Sequence, residues 1–184
     1  MTDLRFTITF HGPFRVATGQ AGAGFDTMVD EVSPIPAPTL KGFMRAAARG
    51  LSIANPSINA VFGRSPQPSP WAWSDADMSE GFSVDAAPRV RVKIDAETGT
   101  AVEDHLQYGQ IAWASSATFV ISSHYRIPDA ERTRHSLILR ASAASVHALG
   151  NQRRRGLGWV HISPDQPLTI DDVRELRALQ EVRP

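Results

Sequence analysis

Residues 4–10, Leu4-Arg5-Phe6-Thr7-Ile8-Thr9-Phe10, alternate apolar and polar side chains without a break. In an extended chain that alternation places Leu4, Phe6, Ile8 and Phe10 on one face and Arg5, Thr7 and Thr9 on the other, so the segment reads as a strand with one buried face. It ends at His11-Gly12-Pro13. Outward from it, residues 18–38 carry Gly19, Gly22, Gly24, Pro34, Pro36 and Pro38 and no usable periodicity. A loop of that length inside a compact domain is usually functional or disordered. Thr39 is placed to cap a helix running to about residue 51, its apolar face made by Leu40, Phe43, Met44 and Ala47. A short helical turn is expected from Asn55-Pro56 to Val61-Phe62-Gly63. Trp71-Ala72-Trp73-Ser74 alternates as a strand does. Residues 89–95 (RVRVKID) give the cleanest alternation in the chain, Val90, Val92 and Ile94 on one side and Arg89, Arg91 and Lys93 on the other, followed by a turn at Glu97-Thr98-Gly99-Thr100.

Residues 117–126 read as another strand. Pro128 and Asp129 open a helix to about Leu149, stopped by Gly150. Residues 157–162 form a last strand, and a terminal helix is expected over about 169–180, with Asp171 and Asp172 in its first turn. Strand, loop, helix, strands, helix, strand is the order of a ferredoxin-like βαββαβ core, an α+β plan with an antiparallel sheet and two helices on one face. That plan alone says nothing about function.

A chain of 184 residues is expected to form a single domain, 1–184, with a core large enough to need no covalent staples. It holds no cysteine, which removes disulfides, thiolate zinc sites and cysteine nucleophiles. No apolar run approaches the ~18 residues of a membrane span, and a cytoplasmic location without membrane contact is expected. Basic and acidic side chains balance at 19 each, but unevenly. Residues 71–104 hold three basic and eight acidic side chains, and residues 105–160 hold seven and two.

Three stretches could carry chemistry. In residues 150–158, Gly150, Gly156 and Gly158 let backbone approach a ligand closely, and Arg153, Arg154 and Arg155 repel one another unless an anion sits among them, for which a polyanion backbone is the simplest partner. A solvated basic turn at a helix C-terminus accounts for the same residues. Lys41, early in its helix, and Arg45, four residues on, share a face near the positive dipole end, a natural phosphate site; an ordinary amphipathic helix accounts for them too. Asp26 sits in the Gly-rich loop, where a carboxylate is a candidate base or Mg²⁺ ligand as well as a simple turn former. The six histidines show no metal-ligand spacing, and no nucleotide-binding loop or nucleophile elbow is present.

Taken in order, these segments resemble the RAMP superfamily of CRISPR-associated proteins, in particular the Cas-seven-like backbone subunits of type III effector complexes. PFRVATG (13–19) is similar to the family's first-strand exit, IPAPTLKGFMR (35–45) to its IPGSSLKGALR, VFG (61–63) to its LFG, RVKIDAETGTA (91–101) to its strand-and-turn segment, and LGNQRRRGLGWV (149–160) to its glycine-rich loop. The resemblance spans roughly residues 4–162. It implies an RNA-recognition-like fold with a thumb-like hairpin insertion, which would fall at about 96–117. It implies copies of the chain lined along a guide RNA, a target RNA paired to that guide, and other effector subunits as neighbours. Arg15, Lys41, Arg45, Gly150, Arg153, Arg154, Arg155, Gly156 and Gly158 would then contact RNA. Leu106, Tyr108, Ile111 and Trp113 would serve the thumb. Asp26 would cut target RNA, holding Mg²⁺ or moving a proton. The family's His in the strand exit is Arg15 here, which favours a phosphate contact. The alternative is a guide-RNA scaffold whose nuclease lies in another subunit.

Overall fold

Strand β1 (Asp3–Phe10) buries Leu4, Phe6, Ile8 and Phe10 and turns the residues between them the other way, as its alternation requires. The computed structural model describes residues 3–22 and 24–180; residues 1, 2, 23 and 181–184 of the expected domain lie outside them. On one side β1 pairs antiparallel with β8 (Ser116–Ser123), Phe6 opposite Phe119, their rings stacked with centroids 4.9 Å apart. On the other it pairs antiparallel with β9 (Val160–Pro164), Ile8 opposite Ile162. A short edge strand, β2 (Trp71–Trp73), borders β8, so the sheet runs β2–β8–β1–β9, and β3 (Asp77–Glu80) extends the same edge further along β8.

Helices α1 (Ala37–Gly50) and α3 (Asp129–Ala144) pack on each other, and α2 (Asn55–Phe62) packs against both. Their inward residues, Leu40, Met44, Ile58, Phe62, Ile138 and Leu139 among them, join the strands' apolar faces in one core. In chain order β1, α1, β2, β8, α3, β9 is the ferredoxin-like βαββαβ core. Among the described residues no helix is long and apolar enough to cross a membrane.

The structure differs from the sequence reading in four places. The segment of cleanest alternation, β5 (Arg89–Ile94), is no part of the main sheet: it pairs with β6 (Ala101–Gly109) in a separate two-stranded hairpin. Val90, Val92 and Ile94 are 51%, 44% and 54% exposed. A period of two fixes an extended backbone and a common face, but not what covers that face. The hairpin insertion therefore lies at 89–109, earlier than 96–117, and the short pair β4 (Ser83–Val84) and β7 (Ala112–Trp113) closes its base. Thr39 does not cap α1. The helix begins after Pro36, and its Ala37 N–H donates to the carboxylate of Asp75, 2.8 Å away, which also accepts from the Ser33 hydroxyl. Finally, α3 ends at Ala144 and β9 starts at Val160, which leaves a longer connection between them than expected.

The terminal helix α4 (Ile170–Ala178) forms as read, with Thr169 and Asp172 in a reciprocal capping box. Arg140 of α3 holds both Asp172 oxygens, at 2.8 and 3.1 Å, and these bonds push the Asp172 carboxyl down to about 2. A depressed carboxyl stabilises the fold above its unfolded-state value near 4 and loses that contribution as pH falls toward 2. His135, buried on α3, accepts from the Trp71 indole at 3.2 Å, and burial lowers its basicity, so its own acid weakening begins at higher pH, below about 6.5. Asp172→Asn is expected to cost about 1–2 kcal/mol at pH 7 and to flatten the loss of stability between pH 4 and 2. The loss beginning near pH 6.5 should persist in the variant; urea unfolding across pH reads both.

Candidate nucleic-acid interface

The connection from α3 to β9 folds as a tight loop on the exit of β1. Leu149 N–H donates to the Gly158 carbonyl, Gly158 N–H to the Pro13 carbonyl and Asn151 N–H to the Arg15 carbonyl, all within 2.7–2.8 Å. Two of its three glycines serve that stitching rather than a ligand. A Cβ on Gly150 would lie 2.0 Å from the Arg15 carbonyl oxygen, and one on Gly158 would lie 1.9 Å from that of Leu149. Only Gly156 stands in open space. Between left-handed Gln152 and Gly156, residues Arg153–Arg155 make one turn of 3₁₀ helix that turns all three side chains outward. The Arg153 guanidinium lies 4.7 Å over the Phe43 ring of α1, and no arginine of this turn pairs with a carboxylate among the described residues. A groove of 670 Å³ runs here between α1 and the turn, lined by Phe43, Ala47, Val146, Gly150, Arg153 and Arg155.

The long loop after β1 is ordered by the hairpin. Asp26 N–H donates to the Tyr108 carbonyl and Tyr108 N–H donates to Asp26 Oδ2, each at 2.7 Å. Gln110 adds two more ties, its N–H to the Thr27 carbonyl and its side-chain oxygen accepting from Val29 N–H. Asp26 thus lies against the edge of β6, exposed, at a second groove of 640 Å³ that Arg91, Lys93, His105, Leu106 and Arg155 also line. Arg155 borders both grooves. The structure therefore brings the arginine turn, Asp26 and the hairpin to one place.

On the hairpin, Val90 faces Tyr108 and Val92 faces Leu106 across the strands, so these four share one face, which is a third to a half exposed. Arg89, Arg91 and Lys93 take the other. Of the four expected thumb residues, Leu106 and Tyr108 are on this face. Ile111 is not: it is 1% exposed, in the core beneath the hairpin. Trp113 lies outside the hairpin on β7, its indole N–H donating to Asp85. Sequence reasoning missed Val90, Val92, Arg91 and Lys93 as hairpin residues although it saw their pattern, because the partner strand, not the pattern, decides what they face.

The other cations are placed differently. Lys41 stacks over Trp73 at 5.0 Å and Arg45 donates to Asn59 of α2 at 3.1 Å. Burial, with Arg45 beside it, lowers the basicity of the Lys41 amine. At about 100° per residue, Lys41 and Phe43 stand some 160° apart around α1, so this pair occupies the flank opposite the arginine turn. The N-terminal N–H expected to meet phosphate is taken by Asp75. Arg15, expected on a phosphate, is 3% exposed, its guanidinium enclosed by Gln110, Thr27 and Gly109.

Asp26 offers one carboxylate, of which Oδ2 is engaged and Oδ1 takes no hydrogen bond among the described residues. Those residues include no cluster of three His, Asp or Glu side chains able to hold a metal. A Mg²⁺ ion here would have Asp26 Oδ1 as its protein ligand and would draw the rest of its shell from water and bound phosphate, which is how this cation is commonly shared.

No curated protein sequence matches the chain. Among the solved structures that match its fold are two of the type III-B Cmr-beta complex determined by cryo-electron microscopy. One, in the apo state, aligns with a TM-score of 0.66 and 11% identity over 89% of this chain and 97% of the other. The second, described as bound to cognate target RNA, aligns with a TM-score of 0.69 and 12% identity over 96% and 99%. The model of the RAMP superfamily matches residues 7–161, from within β1 through the helices, the hairpin and the arginine turn to the start of β9. The chain belongs to the RAMP superfamily.

Proposed function

We propose that this chain is a guide-RNA-binding backbone subunit of a type III CRISPR effector complex, and that it cuts the target RNA paired to the guide. Its partners on this reading are the guide RNA, the target RNA, further copies of itself and other effector subunits, in the cytoplasm. The observation that carries the reading is the shared wall of the two grooves: Arg155 joins the arginine turn to a groove that holds both Asp26 and the hairpin. Base pairing supplies sequence recognition, so the protein needs only cations for the phosphates and an apolar surface to separate bases. Arg153, Arg154 and Arg155 supply the first. Val90, Val92, Leu106 and Tyr108 supply the second.

Unstacking a nucleotide at the hairpin frees its sugar from A-form geometry, so the 2′-oxygen can line up with its own 3′ phosphorus. Asp26 Oδ1 then takes the 2′-hydroxyl proton, O2′ bonds to phosphorus, and the bond from phosphorus to the next O5′ breaks. That oxygen takes a proton from water. The products are a 2′,3′-cyclic phosphate and a 5′-hydroxyl. If Asp26 Oδ1 instead held Mg²⁺, the ion would supply neutralisation of phosphate charge and the 2′-hydroxyl proton would pass to water.

One observation favours the scaffold reading: the Asp26 carboxylate already fastens the loop to Tyr108, which is reason enough for an acid there. Asp26→Asn separates the two, because an amide oxygen still accepts from the Tyr108 N–H but does not act as a base. In the reconstituted complex, cleavage should fall by about 10²–10⁴-fold while guide binding stays within about threefold. Undiminished cleavage would make the chain a scaffold. Replacing Arg154 and Arg155 together with alanine should weaken binding to all RNA sequences alike and flatten the salt dependence of log K by about 1.4, roughly 0.7 per lost phosphate contact. A chelator added to the wild-type complex reads the Mg²⁺ contribution: cleavage lost with RNA binding intact places the ion in the reaction.

A further inference from the structure

Arg15 has an environment that neither a phosphate grip nor an ordinary core residue explains. Its backbone carbonyl accepts from Asn151 N–H, at the start of the arginine turn. Its side chain crosses beneath the hairpin, where Nε donates to the Gln110 carbonyl and Nη1 to the Thr27 hydroxyl at 3.2 Å. The guanidinium lies flat on Gly109, so close that a Cβ there would meet it at 2.5–2.6 Å. With its amide oxygen turned toward the two guanidiniums, Gln152 accepts from Arg91 Nη1 at 2.8 Å and from Arg15 Nη1 at 3.2 Å. Every one of these acceptors is neutral, and Nη2 is buried with no partner. A cation is thus enclosed without a counter-charge, at the point where the Asp26 loop, the base of the hairpin and the arginine turn converge.

We infer that Arg15 is a positioning residue that, through Gln152, couples RNA binding at Arg153–Arg155 to the placement of the Asp26 loop and of strand β6. The inference rests on the RNA-binding reading above but not on cleavage. The 3₁₀ turn begins at Gln152, which is held in a left-handed conformation with φ at 61°. Phosphate drawn onto the adjacent arginines fixes that turn, and Gln152 then fixes two guanidiniums at once, one under the Asp26 loop and one on β5. Two independent points on the loop, Thr27 by side chain and Asp26 by its bonds to Tyr108, depend on that base. The chemistry suits the task. A planar fork of donors in a dry site has few alternative partners, so a shift of one acceptor moves the others.

Hydrogen exchange on the full chain, with and without a single-stranded RNA of about 20 nucleotides, tests this without any cleavage. In the wild type, RNA should slow exchange of amides in residues 24–29 and 106–110 at least fivefold. Gln152→Ala should keep RNA affinity within about threefold and reduce that protection to less than twofold. Gln152→Glu, which retains the acceptor, should restore it. Gly109→Ala, which displaces the guanidinium from below, should uncouple in the same way while leaving the arginine turn intact. If RNA binds the wild type and the Asp26 loop gains no protection, or if Gln152→Ala gains it in full, the coupling is refuted and RNA binding stands. If RNA does not bind the wild type, both readings fall.

Discussion

An excess of guanidinium charge over carboxylate marks one region of this molecule. Arg15, Arg89, Arg91 and the turn Arg153–Arg155 gather around the exit of β1, and burial, with Arg89 nearby, depresses the basicity of Arg15. Like charges a few ångströms apart repel by about 1–4 kcal/mol at the dielectric of a protein surface. The fold nevertheless commits several of its acids elsewhere, which is how a chain of zero net charge keeps a cationic region. Asp75 sits on the start of α1, Asp85 on the Trp113 indole, Asp95 on the hairpin turn through Glu97 and Thr98, and Asp172 on Arg140. Each is committed to a local backbone or side-chain partner. Asp26 and Asp104 line the groove with Arg91, Lys93 and Arg155, so cations outnumber acids there, and an anion that extends over more than one contact suits the excess.

Much of the scaffold for that region was legible from residues alone. The strand at 4–10, the paired strand near 117, the capped terminal helix and the βαββαβ order all rest on short-range rules of periodicity and capping, and those rules act within a few residues of where they are read. What escaped the reading was decided across the chain. Asp75 caps a helix 38 residues before it, so Thr39 looked like the cap. Ile111, in a stretch that reads as part of the hairpin, drops into the core because β7 pairs with β4 beneath it. The alternation of 89–95 gave its apolar residues a shared face and was silent on whether anything covers it.

The candidate site divides in the same way. The arginine turn and Asp26 could be picked out by composition, as charge beside glycine in places without periodicity. Arg15 could not be read correctly, since an arginine in a strand exit gives no local sign that Thr27, Gln110 and Gln152, up to 137 positions away, will enclose it. Burial inverts its meaning. An exposed arginine answers to ligand, whereas an enclosed one holds chain to chain.

The placement of α1 bears on how a strand of RNA could run. Arg153 stacks on the Phe43 flank and Lys41 with Arg45 occupies the Trp73 flank, so no compact ligand touches both groups. The outward surface between them, the crest of the helix, is made by Gly42 and Ala46, both exposed, with exposed Arg49 following them in the last turn. A helix with its side chains is about 10–12 Å across. An extended polyanion crossing that crest meets cations on either side of it, while a mononucleotide or a single phosphate reaches one flank only. A polymer laid over α1 would therefore be able to meet both cationic segments. The grooves are arranged in the same sense: Arg155 lines both, so on the proposed reading a strand crossing α1 would pass the arginine turn on its way to Asp26 and the hairpin.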